Sequence, residues 1–161
     1  MVSKRDLLAL VGFLVLSFGA AGFGALFTTP AVKAGGWYSQ IQKPTWTPPS
    51  WLFGPVWTAL YVMMAVAGWW VWRQGGWEAQ RGALGLFLAQ LVLNAAWSWL
   101  FFGLHSPSAG LAGIGCLWIA ILLTIVAFFH VSPIAGWLLV PYLLWVTFAA
   151  GLNFTIWRLN G

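Results

Sequence analysis

Five long stretches of uncharged, mostly apolar residues constrain the fold of this chain more than any other feature of its sequence. Each has 21 to 24 residues, and a helix of that length extends roughly 32–36 Å at about 1.5 Å per residue. The hydrocarbon core of a bilayer is about 30 Å thick, so each stretch can cross it with some tilt. The predicted spans are residues 7–27, 51–72, 82–104, 107–129 and 134–157.

Lipid forces these stretches into helices, because a backbone without water must satisfy its hydrogen bonds internally. A membrane β-barrel would need short strands of alternating polarity, and the sequence lacks that alternation. Only 6% of the residues are charged, against about 25% in a soluble domain. We therefore predict an all-α, multi-pass integral membrane protein, with residues 1–161 in one domain. The first span is expected to be retained, because it is about twice as long as a signal-peptide core.

The connections between the spans differ in length. Short connections near Ser106 and Ser132 place the last three spans side by side as antiparallel neighbours, and the connection near Gly75-Gly76 is also short. The first loop, residues 28–50, is much longer and contains four prolines and three aromatic residues. Prolines fix the backbone and aromatic residues need burial, so this composition favours a folded cap over disorder. We predict a lid over one end of the bundle.

No Asp, Glu, Lys, Arg or His lies inside a predicted span. Intramembrane charges mark ion pathways and proton relays, so this distribution argues against a pump, an ion channel or an ion-coupled transporter. It also argues against acid–base catalysis within the membrane. Cys116 is the single cysteine, and His105 and His130 lie at opposite membrane faces, which offers no metal site. The scattered cations fit anionic lipid headgroups better than nucleic acid.

The positive charges leave the membrane orientation open. Four lie on the N-terminal side and three on the lid side, so the positive-inside rule gives almost no preference. The first group is Lys4, Arg5, Arg73 and Arg81, and the second is Lys33, Lys43 and Arg158.

The chain has fourteen tryptophans. Seven lie near span ends, where aromatic belts form at headgroup level: Trp51, Trp69, Trp70, Trp72, Trp77, Trp137 and Trp157. Trp57, Trp97, Trp118 and Trp145 lie deeper. An indole N–H in hydrocarbon needs an acceptor, so these four either fill the core against backbone carbonyls or line a pocket for a flat, apolar ligand. The residues alone leave both roles open.

Helical spacing gathers several of these side chains into stripes, which favours the pocket for Trp57 and Trp145. The stripes are Trp57 with Tyr61 in the second span, Asn94 with Trp97 in the third, and Tyr142, Trp145, Ala149 and Asn153 in the fifth. Asn94 suits two roles, because a mid-membrane amide can join helices or contact a ligand.

Short motifs in order along nearly the whole chain resemble the translocator protein / tryptophan-rich sensory protein family, in its bacterial form. They are Trp37-Tyr38, Lys43-Pro44-Thr45-Trp46-Thr47-Pro48-Pro49, Gly54-Pro55-Val56-Trp57, Asn94-Ala95-Ala96-Trp97, Phe101-Phe102-Gly103, Pro141-Tyr142-Leu143-Leu144-Trp145, Leu152-Asn153-Phe154 and Trp157-Arg158.

The resemblance implies five helices around a pocket that is capped by the first loop and binds porphyrins or sterols. It further implies a homodimer in a bacterial cell membrane and light-dependent porphyrin breakdown at Trp57 and Trp145, with no cofactor or metal required. The ligand-binding residues predicted on the stripes and on this resemblance are Trp46, Pro48, Trp57, Tyr61, Asn94, Trp97, Tyr142, Trp145, Ala149 and Asn153.

Three positions depart from the animal members of that family. Gly113 stands where an acidic residue is common, Ala109 where an aromatic residue is found, and Phe154 where the sterol-recognition pattern has tyrosine. Sterol therefore ranks below porphyrin as the expected ligand. The leading hypothesis is a membrane receptor or sensor for porphyrins of the haem pathway. An uncoupled facilitator of tetrapyrroles, sterols or lipids and a ligand-regulated scaffold remain as alternatives.

Overall fold

The computed structural model describes residues 3–161, in which no strand is present. The elements are α1 (Lys4–Val32), α2 (Trp37–Gln40), α3 (Ser50–Trp72), α4 (Gly76–Ser98), a π-helical segment (Trp99–Gly103), α5 (Pro107–Val131) and α6 (Pro133–Asn160). Five helices are long and apolar enough to cross a membrane: α1, α3, α4 with its π segment, α5 and α6. The predicted all-α, five-span membrane architecture is confirmed.

The helices extend beyond the apolar stretches that predicted them. Helix α1 continues to Val32 rather than ending at residue 27, so Pro30 lies inside it. Helix α4 begins at Gly76 rather than at residue 82, with Glu78 in its first turn. Apolar composition marks the edge of the hydrocarbon, whereas a helix continues until its terminal backbone groups find other partners. The lid between α1 and α3 is consequently shorter than the predicted loop of residues 28–50, and α2 lies within it.

The five long helices form a closed ring in the order α1, α3, α6, α5, α4, with each helix packed against the next and α4 packed against α1. The short connections thus place α4, α5 and α6 side by side, as predicted. A ring of five helices encloses a central space that side chains fill at one end and leave partly empty at the other.

Aromatic side chains fill the ring at the end where α1 begins, which we call the closed end. The rings of Phe13 and Phe87 meet edge to face with centroids 5.6 Å apart, and Phe87 stacks on Phe128 at 6.1 Å. Gly68 of α3 makes room for them, since a Cβ there would lie 2.8 Å from Cδ1 of Phe13. Phe87 and Phe128 have no exposed surface, so the centre of the ring is filled at this end.

Polar contacts also fix α1 to α3 at the closed end. The indole N–H of Trp69 donates to the Asp6 carbonyl over 2.7 Å. The Arg73 guanidinium lies 3.9 Å from the Asp6 carboxylate and 4.9 Å from the centre of the Trp69 ring. Asp6 in turn belongs to a capping box with Ser3, which satisfies free backbone N–H groups at the start of α1. These contacts hold the first turn of α1 against the last turns of α3.

The π segment shapes the opposite end of the ring, which we call the lid end. The Leu104 N–H donates to the Trp99 carbonyl over 2.9 Å, the wider spacing of a π turn. Phe101 and Phe102 are adjacent in this turn and their rings pack at 4.8 Å. Both rings also contact Tyr38 of α2, at 6.2 and 5.6 Å. The π turn therefore provides the aromatic platform on which the lid rests.

Candidate functional site

A cavity of about 520 Å³ occupies the lid end of the ring. Helices α1, α3 and α6, the end of α4 and the π segment form its walls, and Tyr38 of α2 contributes from the lid. The cavity lies directly above the aromatic packing of the closed end. Its volume falls within the range of about 300–1,000 Å³ that is usual for small-molecule sites.

The structure gathers seven of the ten predicted ligand-binding residues around this cavity. They are Trp57 and Tyr61 on α3, Asn94 and Trp97 on α4, and Trp145, Ala149 and Asn153 on α6. The helical stripes thus face one shared space. Whether these side chains bind a ligand stays a prediction.

The other three predicted residues lie outside the cavity wall. Tyr142 is only 1% exposed and belongs to the packed core beneath the cavity. Trp46 in the lid is 49% exposed and packs its ring against Phe148 on α6, with centroids 5.7 Å apart. Pro48 is half-buried in the segment that leads into α3. Tyr38 of α2 is the part of the lid that lines the cavity, whereas the proline-rich stretch with Trp46 and Pro48 does not reach its wall.

A buried polar network forms the boundary between the cavity and the closed end. The Tyr61 hydroxyl donates to Oδ1 of Asn94 over 2.6 Å, and Nδ2 of Asn94 donates to the Tyr142 hydroxyl over 2.7 Å. Each of the three helices α3, α4 and α6 contributes one member. Unpaired polar groups at this depth would be costly, and these hydrogen bonds pair them. Asn94 thus joins three helices and also lies on the cavity wall.

Asn153 also joins helices by hydrogen bonds, at a level of the cavity closer to the lid. Its Oδ1 accepts a hydrogen bond from the Trp97 indole over 3.3 Å, and its Nδ2 donates to the Pro107 carbonyl over 2.7 Å. A Cβ at Gly110 would lie 2.9 Å from that Oδ1, so only glycine lets the amide approach α5 here. Asn153 thereby joins α6 to α4 and α5 and supplies the acceptor that the deep Trp97 requires.

The four deep tryptophans fall into two groups. Trp118 donates its indole N–H to Oγ1 of Thr147 over 2.8 Å and does not line the cavity. Trp97 is also anchored by a hydrogen bond, although its ring reaches the cavity. Trp57 and Trp145 are half-buried on the cavity wall and are positioned by ring contacts. The two residues singled out for photochemistry are therefore those whose rings face the space and whose positions depend least on an anchoring hydrogen bond.

Aromatic neighbours position the rings of Trp57 and Trp145. The Trp57 ring centroid lies 5.6 Å from that of Tyr61 and 6.2 Å from that of Tyr142. Trp145 contacts Phe53 of α3, which also lines the cavity, at 6.0 Å in an edge-to-face arrangement. Such contacts add about 0.5–1.5 kcal/mol per pair beyond simple burial. The indoles are thus held firmly enough to form a preorganised wall.

Tyr38 and Lys43 organise the lid above the cavity. The Lys43 ammonium donates to the carbonyls of Tyr38 and Ile41 over 2.6 and 3.0 Å and lies 5.0 Å from the centre of the Tyr38 ring. Burial raises the pKa of Tyr38 to about 12. The phenol therefore stays neutral near pH 7, and Lys43 holds the lid through carbonyl and ring contacts rather than through an ion pair with tyrosinate.

Helix α1 supplies a wall of the cavity that the sequence interpretation missed. Its lining residues are Phe18, Ala21, Gly22, Gly24, Ala25, Thr28, Thr29 and Val32. The available signal was the run of small residues around Gly22. No lining residue is ionisable at neutral pH, so binding in this space would depend on apolar and aromatic contact, with a few hydroxyl and amide groups for orientation.

Comparisons with known proteins agree with the architecture. A model of the TspO/MBR family matches residues 11–158. The chain is 51% identical over 144 residues to the tryptophan-rich protein TspO of Chlorobaculum tepidum, covering 88% of this chain and 89% of that protein. It is 47% identical over 147 residues to the tryptophan-rich protein TspO of Archaeoglobus fulgidus, covering 91% and 94%. It is also 41% identical over 126 residues to the translocator protein of Homo sapiens, covering 77% and 75%.

Proposed function

Because this chain belongs to the TspO/MBR family of multi-pass membrane proteins, we propose that it is a membrane receptor that binds porphyrins in the cavity at the lid end. The observation that carries the proposal is the pair of half-buried indoles, Trp57 and Trp145, on the wall of a 520 Å³ cavity with no lining residue that is charged at neutral pH. The comparisons themselves establish that the chain is a membrane protein of the sensor and translocator family.

The chemistry of the wall suits a tetrapyrrole. A porphyrin has two broad apolar faces, and aromatic rings offer such faces stacking and edge contacts. Trp57 and Phe53 on α3 and Trp145 on α6 provide these rings. The macrocycle carries its carboxylates at its periphery, where they can remain near the lid end and its basic residues, such as Lys33, which is exposed at the end of α1. A flat ring in the cavity with acidic groups toward the membrane surface satisfies both requirements.

Light-dependent breakdown of the bound porphyrin is the second activity that we propose. The supporting observation is that Trp57 contacts the rings of both Tyr61 and Tyr142. A photoexcited porphyrin can accept one electron from a neighbouring indole, which leaves an indole radical cation and a porphyrin radical anion. Dissolved dioxygen is the oxidant: it adds across a C–C bond of the porphyrin radical anion, and the adduct returns one electron to the indole radical cation. Cleavage of the O–O bond and of that C–C bond then leaves two carbonyl groups on the opened ring, so that one dioxygen is consumed and the indole is regenerated. No acid–base residue is needed for the electron transfer.

Fluorescence quenching tests the binding proposal. Purified protein in proteoliposomes should show quenching of tryptophan emission on titration with protoporphyrin IX. The variant carrying both Trp57→Phe and Trp145→Phe should bind at least about tenfold more weakly, because two stacking surfaces are replaced by smaller ones. Binding is followed through the porphyrin's own absorbance as well, since the variant has lost two of the fluorophores.

Trp137→Phe is the matched control. Trp137 is 65% exposed and packs against Phe129 at the closed end, so its replacement should leave porphyrin affinity unchanged. Equal affinity of the wild-type protein and the Trp57/Trp145 double variant would refute the assignment of the site. Illumination of the complex in the presence of oxygen then tests breakdown, which should yield a new absorbing product in the wild type and in Trp137→Phe but not in the double variant.

A further inference from the structure

We propose that porphyrin enters the cavity sideways from the bilayer, through a gap between α1 and α3, while the lid stays in place. This inference rests on the proposed function. It adds a route to the site and a requirement on the ligand, which must partition into the membrane before it is bound.

The exposure of the lining residues locates the gap. On the back wall, Asn94, Trp97, Asn153 and Ile156 are each at most 8% exposed. On the front wall, Gly22 and Ala25 of α1 and Gly54 and Thr58 of α3 line the same cavity and are exposed. Exposed residues in an otherwise buried cavity wall lie where the cavity opens. The mouth therefore lies between α1 and α3 and faces the membrane.

The space beside the two glycines of this mouth is unfilled. A Cβ added at Gly22 or at Gly54 would find no atom within 4 Å. By contrast, the same two helices are in tight contact at the closed end, where Gly68 lies against Phe13 and Trp69 is hydrogen-bonded to Asp6. Helices α1 and α3 are thus fastened at one end and separated by unfilled space at the other. Such an arrangement permits passage without breaking the ring.

The surface of the mouth is apolar although it contains threonines. Oγ1 of Thr58 donates to the Gly54 carbonyl over 2.8 Å, and Oγ1 of Thr28 donates to the Gly24 carbonyl over 3.0 Å. Both hydroxyl donors are therefore satisfied within their own helix, which lowers the cost of placing them in lipid. An apolar ring can pass this surface without having to compete for polar partners.

The lid, in contrast, is fastened at several points. The side-chain amide of Asn160 at the end of α6 accepts from the Gln42 N–H over 3.0 Å and donates to the Gln42 carbonyl over 2.9 Å. The Trp37 ring stacks on His105 at 5.0 Å, nearly parallel. Entry through the lid would require these contacts and those of Lys43 to break together, whereas entry between α1 and α3 breaks none of them.

The position of charge matches a ligand that travels within one leaflet. Lys33 follows directly on Val32, the last residue of α1 and part of the cavity wall. Lys33 is exposed at the lid end, where it can meet carboxylates at headgroup level while the ring moves between the helices. The inferred ligand is accordingly flat, apolar in its ring and acidic along one edge.

Closing the mouth provides the test. In proteoliposomes, the Gly22→Phe/Gly54→Phe variant should bind and release protoporphyrin IX about tenfold more slowly, with a smaller change in Kd, because a narrowed passage slows both directions alike. Association is followed by stopped-flow tryptophan quenching and release by transfer to excess albumin. The single variants Gly22→Leu and Gly54→Leu repeat the measurement with smaller side chains should the double variant fold poorly.

Two comparison variants make the outcome decisive. Gly82→Phe/Gly115→Phe adds the same bulk at exposed positions with equally open space, away from the cavity wall, and should leave both rates unchanged. Asn160→Ala loosens the lid and should also leave them unchanged. Wild-type rates in the closed-mouth variants, or faster exchange in Asn160→Ala, would overturn lateral entry while leaving binding intact. Absence of quenching in the wild-type protein would instead overturn the proposed function and this inference with it.

Discussion

The closed end and the lid end of the bundle use the same residue types for opposite purposes. At the closed end, Gly68 lets the Phe13 ring pack directly against α3. At the lid end, Gly22 and Gly54 face unfilled space. Both ends are rich in aromatic side chains, yet one has the close-packed, fully buried rings of Phe87 and Phe128 at its centre and the other has rings around a cavity. Composition alone therefore does not separate a packed core from a binding site in a membrane protein.

The boundary between the two ends is polar. Tyr61, Asn94 and Tyr142 form a hydrogen-bonded layer across three helices. Below it the ring is filled, and above it the ring is open. Since a membrane bundle gains little from the hydrophobic effect between its helices, packing and interhelical hydrogen bonds must hold it together. The closed end and this layer provide that cohesion, which frees the lid end to remain partly empty.

The largest expected change in stability comes from a substitution at the closed end, which tests whether that end stabilises the bundle. Phe87→Ala should lower the free energy of unfolding by about 3 kcal/mol, because it leaves a cavity among fully buried rings. Phe53 lies on the wall of the existing cavity and has fewer packing contacts to lose. Phe53→Ala should therefore lower the free energy of unfolding by only about 1 kcal/mol. Thermal unfolding in detergent, followed by circular dichroism, measures both. Equal losses would mean that the two ends contribute alike.

An intermediate effect is expected at the boundary. Asn94→Leu should destabilise the protein by about 1–2 kcal/mol, because the Tyr61 and Tyr142 hydroxyls both lose their partner. Tyr142→Phe removes one of those two hydrogen bonds and should cost about half as much. The same unfolding assay applies. If Asn94→Leu were as stable as the wild type, the polar layer would not be a structural element.

The smallest effect is expected at the lid. Asn160→Ala should raise amide hydrogen exchange in residues 33–49 by an amount corresponding to about 1 kcal/mol, while the thermal midpoint stays the same, because only a local opening is made easier. Leu159→Ala is the control, as its exposed side chain neighbours the same turn. A fall in the thermal midpoint of Asn160→Ala would show that the lid is coupled to the whole bundle rather than attached to it.

Much of the site could be predicted from helical spacing. Trp57 and Tyr61 are one turn apart, as are Trp145 and Ala149, so each pair had to share a helix face. The opposing wall on α1 could not be found in this way, because small residues in a membrane helix favour close packing and open space equally. The roles of Trp97 and Trp118 were likewise undecided, since their acceptors, Asn153 and Thr147, are on another helix.

The sequence by itself determined that this chain crosses the membrane five times and that three of its four deep indoles, Trp57, Trp97 and Trp145, belong to helical stripes on three spans. Those properties follow from hydrocarbon thickness and from the cost of an unpaired backbone, which act on each segment separately. The tertiary structure alone decided which indoles face a cavity, where that cavity opens and which part of the lid covers it. These depend on how far apart neighbouring helices lie, and that distance is set by contacts between residues remote in the chain, such as those that fasten α1 to α3 at one end only.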